Sequence, residues 1–343
     1  MRKPTIICLT PVKNEAWILK RFLDCTSLWA DYIIVADQGS TDGSKEIARS
    51  NPKVILLENQ SEKFNEPDRQ ALLVKAARSI PGPRILIALD ADEMLTGSFS
   101  SSPEWSSVLE AEPGTVIWFK LANLLSPHQY YSWNAPLAFG FVDDGSDHSG
   151  PLIHSPRLPI PANAPAIFLN QIQVLHYSPI DRVRECRKLA WYQCWETVHH
   201  RKMSFVELYR MYHKTEYMPP SAVHPVPREW MEVYERAGID MTSVRRSGSF
   251  WWDKDIVDML REHGAEQFRR VDIWDSVNWS RVYESVYPEN EKLYFRNPRS
   301  RIDNFILMWL RKTQPDFCIH SEVKYRWELY YRLVHKALRW FGW

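Results

Sequence analysis

Glycine and cysteine are scarce in this chain. Twelve glycines are spread over 343 residues, and they form neither a G-x-G-x-x-G nor a G-x-x-x-x-G-K-[ST] run. The loops that cradle dinucleotides or nucleoside triphosphates by backbone N–H groups are therefore absent, and a bound phosphate would need its charge neutralised in another way. Five cysteines in irregular spacing exclude a disulfide framework and a C-x-x-C metal pair. The formal net charge is only +1, which removes the global electrostatic case for nucleic acid. No apolar run reaches about 18 residues, the length a membrane-spanning helix needs. The apolar run after Met1-Arg2-Lys3-Pro4 stops at Lys13-Asn14-Glu15, too short for a secretory signal. With unpaired cysteines, this leads to the expectation of a cytoplasmic protein.

What the chain does have is an alternation of short apolar runs and helical patterns. Residues 5–9, 32–36, 54–57 and 84–89 read as buried strands. Between them, Ile18, Phe22, Cys25 and Trp29 fall at helical spacing, with Asn14 as the expected N-cap. A second helix is expected from the Ser40–Ser44 turn to about Arg49, and a third over 65–79, stopped by Pro81-Gly82-Pro83. The order βαβαβαβ predicts an α/β fold with a doubly wound, mostly parallel sheet. Further helices are expected over 104–110, 204–213, 228–236, 251–262 and 301–312, and a strand over 115–121. Residues 123–150 read as an aromatic, loop-rich stretch containing Tyr130, Tyr131, Trp133, Phe139 and Phe141. Such rings suit sugar faces as well as ordinary packing.

The most informative stretch is Arg84-Ile85-Leu86-Ile87-Ala88-Leu89-Asp90-Ala91-Asp92-Glu93. Strand alternation would send Asp90 and Asp92 to one side and Ala91 and Glu93 to the other. Two carboxylates at the end of a buried strand repel each other and lose solvation. A hard divalent cation, Mn2+ or Mg2+, offsets both costs. Asp37 ends the second strand, where an acid either accepts from a base or ribose or serves as a turn residue. Glu93 is expected to act as a structural acid capping the next segment.

The runs CLTPVKNEAWIL, DYIIVADQGSTDGS and ILIALDADEML, in this order and spacing, resemble the family 2 glycosyltransferases of the GT-A fold. The resemblance covers roughly the first hundred residues. It implies inverting transfer of a sugar from a nucleotide-diphosphate sugar donor to a saccharide or glycolipid acceptor, with Mn2+ or Mg2+ on the diphosphate. It implies Asp37 on the base and Thr10, Pro11 and Glu15 lining the nucleotide pocket. Arg69 falls near the donor, Asp90 near ribose or metal with Ala91 beside it, and Asp92 becomes the metal ligand proper. Gln38 stands where the family commonly has a second Asp. The family places its catalytic base in a loop beyond the metal strand, which points to Asp143 or Asp144 without separating them. His176, ending the apolar run 174–175, resembles the histidine that completes the metal shell, and the alternative is a packed core histidine. Arg157 could pair with phosphate or with an acid of the site. Bacterial-type cell-surface polysaccharide or lipopolysaccharide synthesis is the process such a transferase would serve. The competing expectations are a nucleotidyltransferase and a non-catalytic sugar-binding protein of the same fold.

Domain organisation is expected as a catalytic domain over 1–180 and a helical region over 181–343. Ser178-Pro179-Ile180-Asp181 is read as a helix start whose face carries Val183, Cys186, Ala190 and Cys194. Pro219-Pro220 and Pro225-Val226-Pro227 are read as a linker. In the tail 323–343, Trp327, Tyr330, Val334, Leu338 and Phe341 form one stripe, with Arg332, Lys336 and Arg339 opposite. That pattern suits either a helix docked on its own domain or a peripheral helix at the inner face of an anionic membrane.

Overall fold

The computed structural model describes residues 3–59, 65–132, 135–199, 203–244, 250–290, 292–318 and 328–343. Its contacts divide the chain into two units. The first comprises Met1–Asp181 and His224–Arg246, the second Arg182–Val223 and Ser247–Trp343.

The first unit is built on β1 (Thr5–Val12), α1 (Leu19–Thr26), β2 (Tyr32–Asp37), α2 (Ser44–Arg49), β3 (Val54–Glu58), α3 (Glu66–Arg78) and β4 (Arg84–Ala88). β1 pairs in parallel with both β2 and β4, and β2 with β3. Alternate residues of these strands enter two different cores, because side chains switch faces at every step. Ile6, Cys8, Ile33 and Val35 meet Leu19, Phe22 and Leu23 of α1 on one face. Ile7, Leu9, Ile34 and Ala36 meet Leu73, Val74 and Ala77 of α3 on the other. A strand covered on both sides must be apolar throughout, which is why β1, β2 and β4 show as continuous runs in the sequence. The α/β, doubly wound, mostly parallel sheet expected of the sequence is present.

Beyond β4 the chain adds β5 (Glu93–Leu95), α4 (Pro103–Leu109), β6 (Val116–Phe119), β7 (Leu121–Ser126), β8 (Gln129–Ser132), β9 (Leu137–Val142), β10 (Ala166–Phe168) and β11 (Val174–His176). The main sheet runs β10-β6-β9-β4-β1-β2-β3, with β9 antiparallel to β4 and β6. A second sheet runs β12-β8-β7-β11-β5, where β12 is His224–Pro225. The stretch read as loop is thus mostly strand: β7 and β8 form a hairpin, and Phe139 and Phe141 are buried in β9. Gly140 permits the pairing with β6, since a Cβ there would stand 2.9 Å from Ile117 Cβ. Trp133 lies outside the described residues.

The segment expected to be a linker returns to the first unit. β12 pairs with β8, the Tyr130 and Trp230 rings lie 4.6 Å apart, and Tyr234 of α7 (Glu232–Arg236) donates to the Leu95 carbonyl. Burying these aromatics outweighs the breaking tendency of the prolines. The contacts thus assign 182–223 to the second unit and return 224–246 to the first.

The second unit is helical and aromatic-rich: α5 (Arg182–His199), α6 (Phe205–Tyr212), α8 (Trp251–His263), α9 (Trp279–Val286), α10 (Arg301–Thr313) and α11 (Glu328–Trp340). α5 buries Ala190, Trp191, Cys194 and Trp195, whereas Val183 and Cys186 are exposed. The stripe inferred for α5 holds only in its second half. Among the described residues no helix is long and apolar enough to cross a membrane.

Candidate functional site

The carboxyl ends of β1, β2 and β4 carry the residues singled out in the sequence. In an open α/β sheet this edge is where ligands bind, because the loops diverge there to different faces. After β1 the chain does not enter a helix at once. Asn14 takes a left-handed φ of 57°, and its side chain accepts from the Thr41 N–H rather than capping α1. The N–H groups of Asn14, Glu15 and Ala16 donate to Ser40 Oγ, Ser44 Oγ and Asp42 Oδ2. Glu15 is thereby held against the turn that follows Asp37, while Thr10 and Pro11 sit in β1 opposite Val35 and Ala36 of β2. Glu15 also accepts from the Trp17 indole at 2.6 Å.

Asp37 is 1% exposed. Its Oδ2 accepts from the Ser40 N–H and lies 3.6 Å from Lys45 Nζ, while its buried Oδ1 has no partner among the described residues. Thr10 Oγ1, also fully buried, has none either. A buried polar atom without a partner costs about 1–3 kcal/mol, and a bound donor group would recover that.

Asp90, Ala91 and Asp92 do not continue β4. They form a turn into β5, closed by the Glu93 N–H on the Asp90 carbonyl. Strand alternation therefore ceases at Leu89, and the expectation that Glu93 points away is corrected. Glu93 Oε2 caps the turn from within by accepting the Asp90 N–H at 2.8 Å. Arg157 closes the cluster. Its guanidinium donates through Nη2 to Asp90 Oδ2 and to Glu93 Oε1, each at 2.9 Å, and through Nη1 to Glu93 Oε2. The guanidinium also lies 4.7 Å from the centre of the Phe139 ring. Burial would weaken its charge, but Asp90 and Glu93 outweigh that and raise its pKa.

On the other side of the turn stands His176. In β11 it pairs with Glu93 of β5 and with Asn123 of β7. Its Nδ1 lies 2.7 Å from Asn123 Oδ1 and its Nε2 lies 3.9 Å from Asp92 Oδ2. An amide oxygen only accepts, so Nδ1 carries the hydrogen, and in the neutral ring Nε2 would be the nitrogen left for a cation. A carboxylate oxygen facing an imidazole whose far nitrogen is hydrogen-bonded could supply two donors to a divalent cation, with the imidazole favouring Mn2+ over Mg2+. Among the described residues no three His, Cys, Asp or Glu side chains converge as a closed metal cage. Two donors alone would leave a cation here dependent on water or a bound ligand for its remaining positions. Formal charge agrees: Asp90, Asp92 and Glu93 against Arg157 leave two negative charges.

Glu66 was not anticipated. It begins α3 directly after Asn65, whose side chain accepts from the Asp68 N–H as the N-cap. Glu66 Oε2 accepts from the Ser155 N–H at 2.7 Å, and its own N–H donates to the Leu152 carbonyl. It thus anchors the loop that delivers Arg157. Burial raises its pKa, Arg69 one turn away lowers it, and the neighbouring Asp90 raises it. The N-cap followed by an acid in the first turn is the one sequence signal that could have drawn attention to it.

Asp143 and Asp144 lie elsewhere. β9 runs antiparallel to β4, so its carboxyl end meets the start of β4, not its end. The Asp143 N–H donates to the Arg84 carbonyl, about 13 Å of strand away from Ala88 at 3.3 Å per residue. The Asp143 carboxylate is fully buried between two guanidinium groups, Arg78 at 2.9 Å and Arg84 at 3.0 Å. Burial pushes its pKa up, but the hydrogen bonds from Arg78 and Arg84 outweigh that and leave it below the usual carboxylate value. Asp144 is exposed and accepts the Ser146 N–H in a turn. The expectation that either is the catalytic base is overturned by strand direction.

No family model matches the chain. A comparison with curated proteins gives no match. Several solved structures overlap part of it. A 4-diphosphocytidyl-2C-methyl-D-erythritol synthase is 13% identical, covers 35% of this chain and 63% of its own, and has a TM-score of 0.27. Glucosyl-3-phosphoglycerate synthase from Mycobacterium tuberculosis, in complex with phosphoglyceric acid, is 19% identical over 35% of this chain and 44% of its own, at a TM-score of 0.23. A glycosyltransferase involved in glycosylation of the major capsid of PBCV-1 is 14% identical over 41% and 61%, also at 0.23. The chain thus spans between 44 and 63% of the length of these three. At such TM-scores no property is carried over from them.

Proposed function

We propose that this chain is an inverting, metal-dependent glycosyltransferase that moves a sugar from a nucleotide-diphosphate donor to an acceptor hydroxyl. The observation that supports the reading is the turn after β4, where Asp92 faces His176 of the second sheet while Asp37 ends the parallel strand β2 at the same edge of the main sheet. Asp37 keeps a buried carboxylate oxygen in need of a donor, as a nucleobase N–H would supply. Asp92 and His176 would hold Mn2+ or Mg2+, and Thr10, Pro11, Glu15 and Ala91 line the same edge. When bound, the cation acts as a Lewis acid on the diphosphate leaving group. Arg157 holds Asp90 and Glu93 in place by hydrogen bonds, so the cluster is organised before the donor arrives. Arg69, one turn into α3 from Glu66, adds a positive charge beside the donor.

The acceptor we place among saccharides or glycolipids of bacterial-type surface polysaccharide, handled at the inner face of the membrane by a cytoplasmic enzyme. The attacking hydroxyl must lose its proton to a base across the sugar. Asp143 and Asp144 are too remote for that role.

A panel of nucleotide sugars, with and without Mn2+, followed by thermal shift, tests the reading. One donor should stabilise the protein only when Mn2+ is present, and Asp37→Ala should weaken that donor about 10–100-fold, as expected for losing a charge-assisted hydrogen bond. Stabilisation by a free sugar without its nucleotide, unaffected by Mn2+, would favour a carbohydrate-binding protein instead.

A further inference from the structure

Within the helical unit, α10 and α11 each carry two apolar faces, and one face of each is already used. α10 packs inward through Ile306, Leu307 and Leu310, and α11 through Tyr331 and Leu338. Tyr331 lies against the Trp309 and Phe317 rings. The end of α11 is fastened: Arg270 donates to the carbonyls of Phe341 and Gly342, and Trp343 is 2% exposed. The stripe expected of the tail is thus divided: Leu338 packs on its own unit and Val334 is half-buried, while Tyr330 and Phe341 are exposed. Trp327 lies outside the described residues.

A docked helix ordinarily turns a polar face to water. These two do not. Ile302, Phe305 and Met308 project outward from α10, with Phe305 64% exposed. On α11, Leu329, Leu333 and Trp340 occupy the face opposite Tyr331 and Leu338, with Trp340 84% exposed. Because the inner faces are committed, this apolar surface cannot be covered by rotating either helix.

The charges interleaved with it are basic. Arg301 and Lys312 flank the outward residues of α10, and Arg332 and Lys336 those of α11; all four are exposed. Asp303 of α10 is buried as the capping-box partner of Ser300, which leaves Glu328 as the acid exposed on the described part of the two helices. We propose that the outward faces of α10 and α11 form a docking surface for an anionic lipid bilayer. Leucine, phenylalanine and tryptophan enter the acyl boundary while lysine and arginine meet the headgroups. The helices lie on the bilayer and do not span it. This proposal is independent of the reaction assigned to the sheet.

The test is co-sedimentation of the full chain with vesicles of phosphatidylcholine and phosphatidylglycerol at 3:1, against phosphatidylcholine alone. The expected result is binding to the anionic vesicles that weakens as salt rises. Leu333→Glu with Trp340→Glu, and separately Arg332→Glu with Lys336→Glu, should each reduce partitioning about tenfold or more. Far-UV circular dichroism and the melting temperature establish that each variant is folded; since the replaced residues are exposed, both should change little. Absence of sedimentation of the folded wild type with anionic vesicles overturns the proposal. So does a concentration-dependent dimer that Leu333→Glu abolishes in a protein that ignores vesicles, since the occupant would then be a second copy.

Discussion

His176 faces Asp92 across 3.9 Å while its other ring nitrogen is held by Asn123 at 2.7 Å. The amide sets the tautomer, and the tautomer determines which nitrogen is free to meet a cation. Asn123→Ala should weaken Mn2+ binding about 10–100-fold, as loss of a ligand's orienting partner typically does. Isothermal titration of Mn2+ in the presence of the bound nucleotide checks this. An unchanged affinity would mean that His176 is only a core residue.

Asp143, locked between Arg78 and Arg84, should matter for stability and not for turnover. Asp143→Asn breaks a buried ion pair, which costs about 3–5 kcal/mol and is read as a lower midpoint in urea. Nucleoside diphosphate release per folded molecule should be retained. The pH dependence follows from the lowered pKa. Stability from this carboxylate is fully present above the ordinary value of 3.8 and is lost as pH falls through the lower, folded value.

Arg157→Met should expose the opposite balance. Glu93 is 2% exposed and would lose its guanidinium, so the variant should lose several kcal/mol, roughly 3–5 by the same reasoning. Removing a cation from a cluster of carboxylates also strengthens its attraction for another. Added Mn2+ should therefore raise the melting temperature of the variant more than that of the wild type. An equal rise in both would show that the cation does not share the field of this cluster.

His335 gives the helical unit an acid-sensitive point. Burial, with Arg210 and Arg339 nearby, lowers its pKa to about 4, while Glu207 opposes the shift. The unfolded chain takes up a proton near pH 6.5 and the folded chain only near 4, so stability falls as pH drops through that interval. Allowing for partial exposure, the loss is roughly 1–2 kcal/mol. His335→Gln should flatten melting temperature against pH between about 6.5 and 4.

The two-sided burial of β1, β2 and β4 left its mark in the sequence as unbroken apolar runs, so the doubly wound core and its acidic edge were legible there. The short strands β7, β8 and β9 were not. Their pairing depends on partners far along the chain, and aromatic residues beside Ser and Asn resemble a loop. Strand direction decided the largest error. An acid following an apolar run reads the same whether the strand is parallel or antiparallel, yet in β9 the direction sends Asp143 to the far edge. Glu66 and Asn123 were missed for a related reason, since each acts by holding another residue that only the folded chain brings near.

The role proposed for Asp92 is to seat a cation that the reaction requires. Nucleoside diphosphate release from the stabilising nucleotide sugar, measured in Mn2+ and in EDTA for wild type and Asp92→Asn, tests it most directly. Release by the wild type should be abolished by EDTA, and the folded variant should release about 100-fold less or lower still, the size of effect expected when an electrostatic contact to the transition state is lost. Release that continues in EDTA, or an Asp92→Asn protein as active as the wild type, would contradict it.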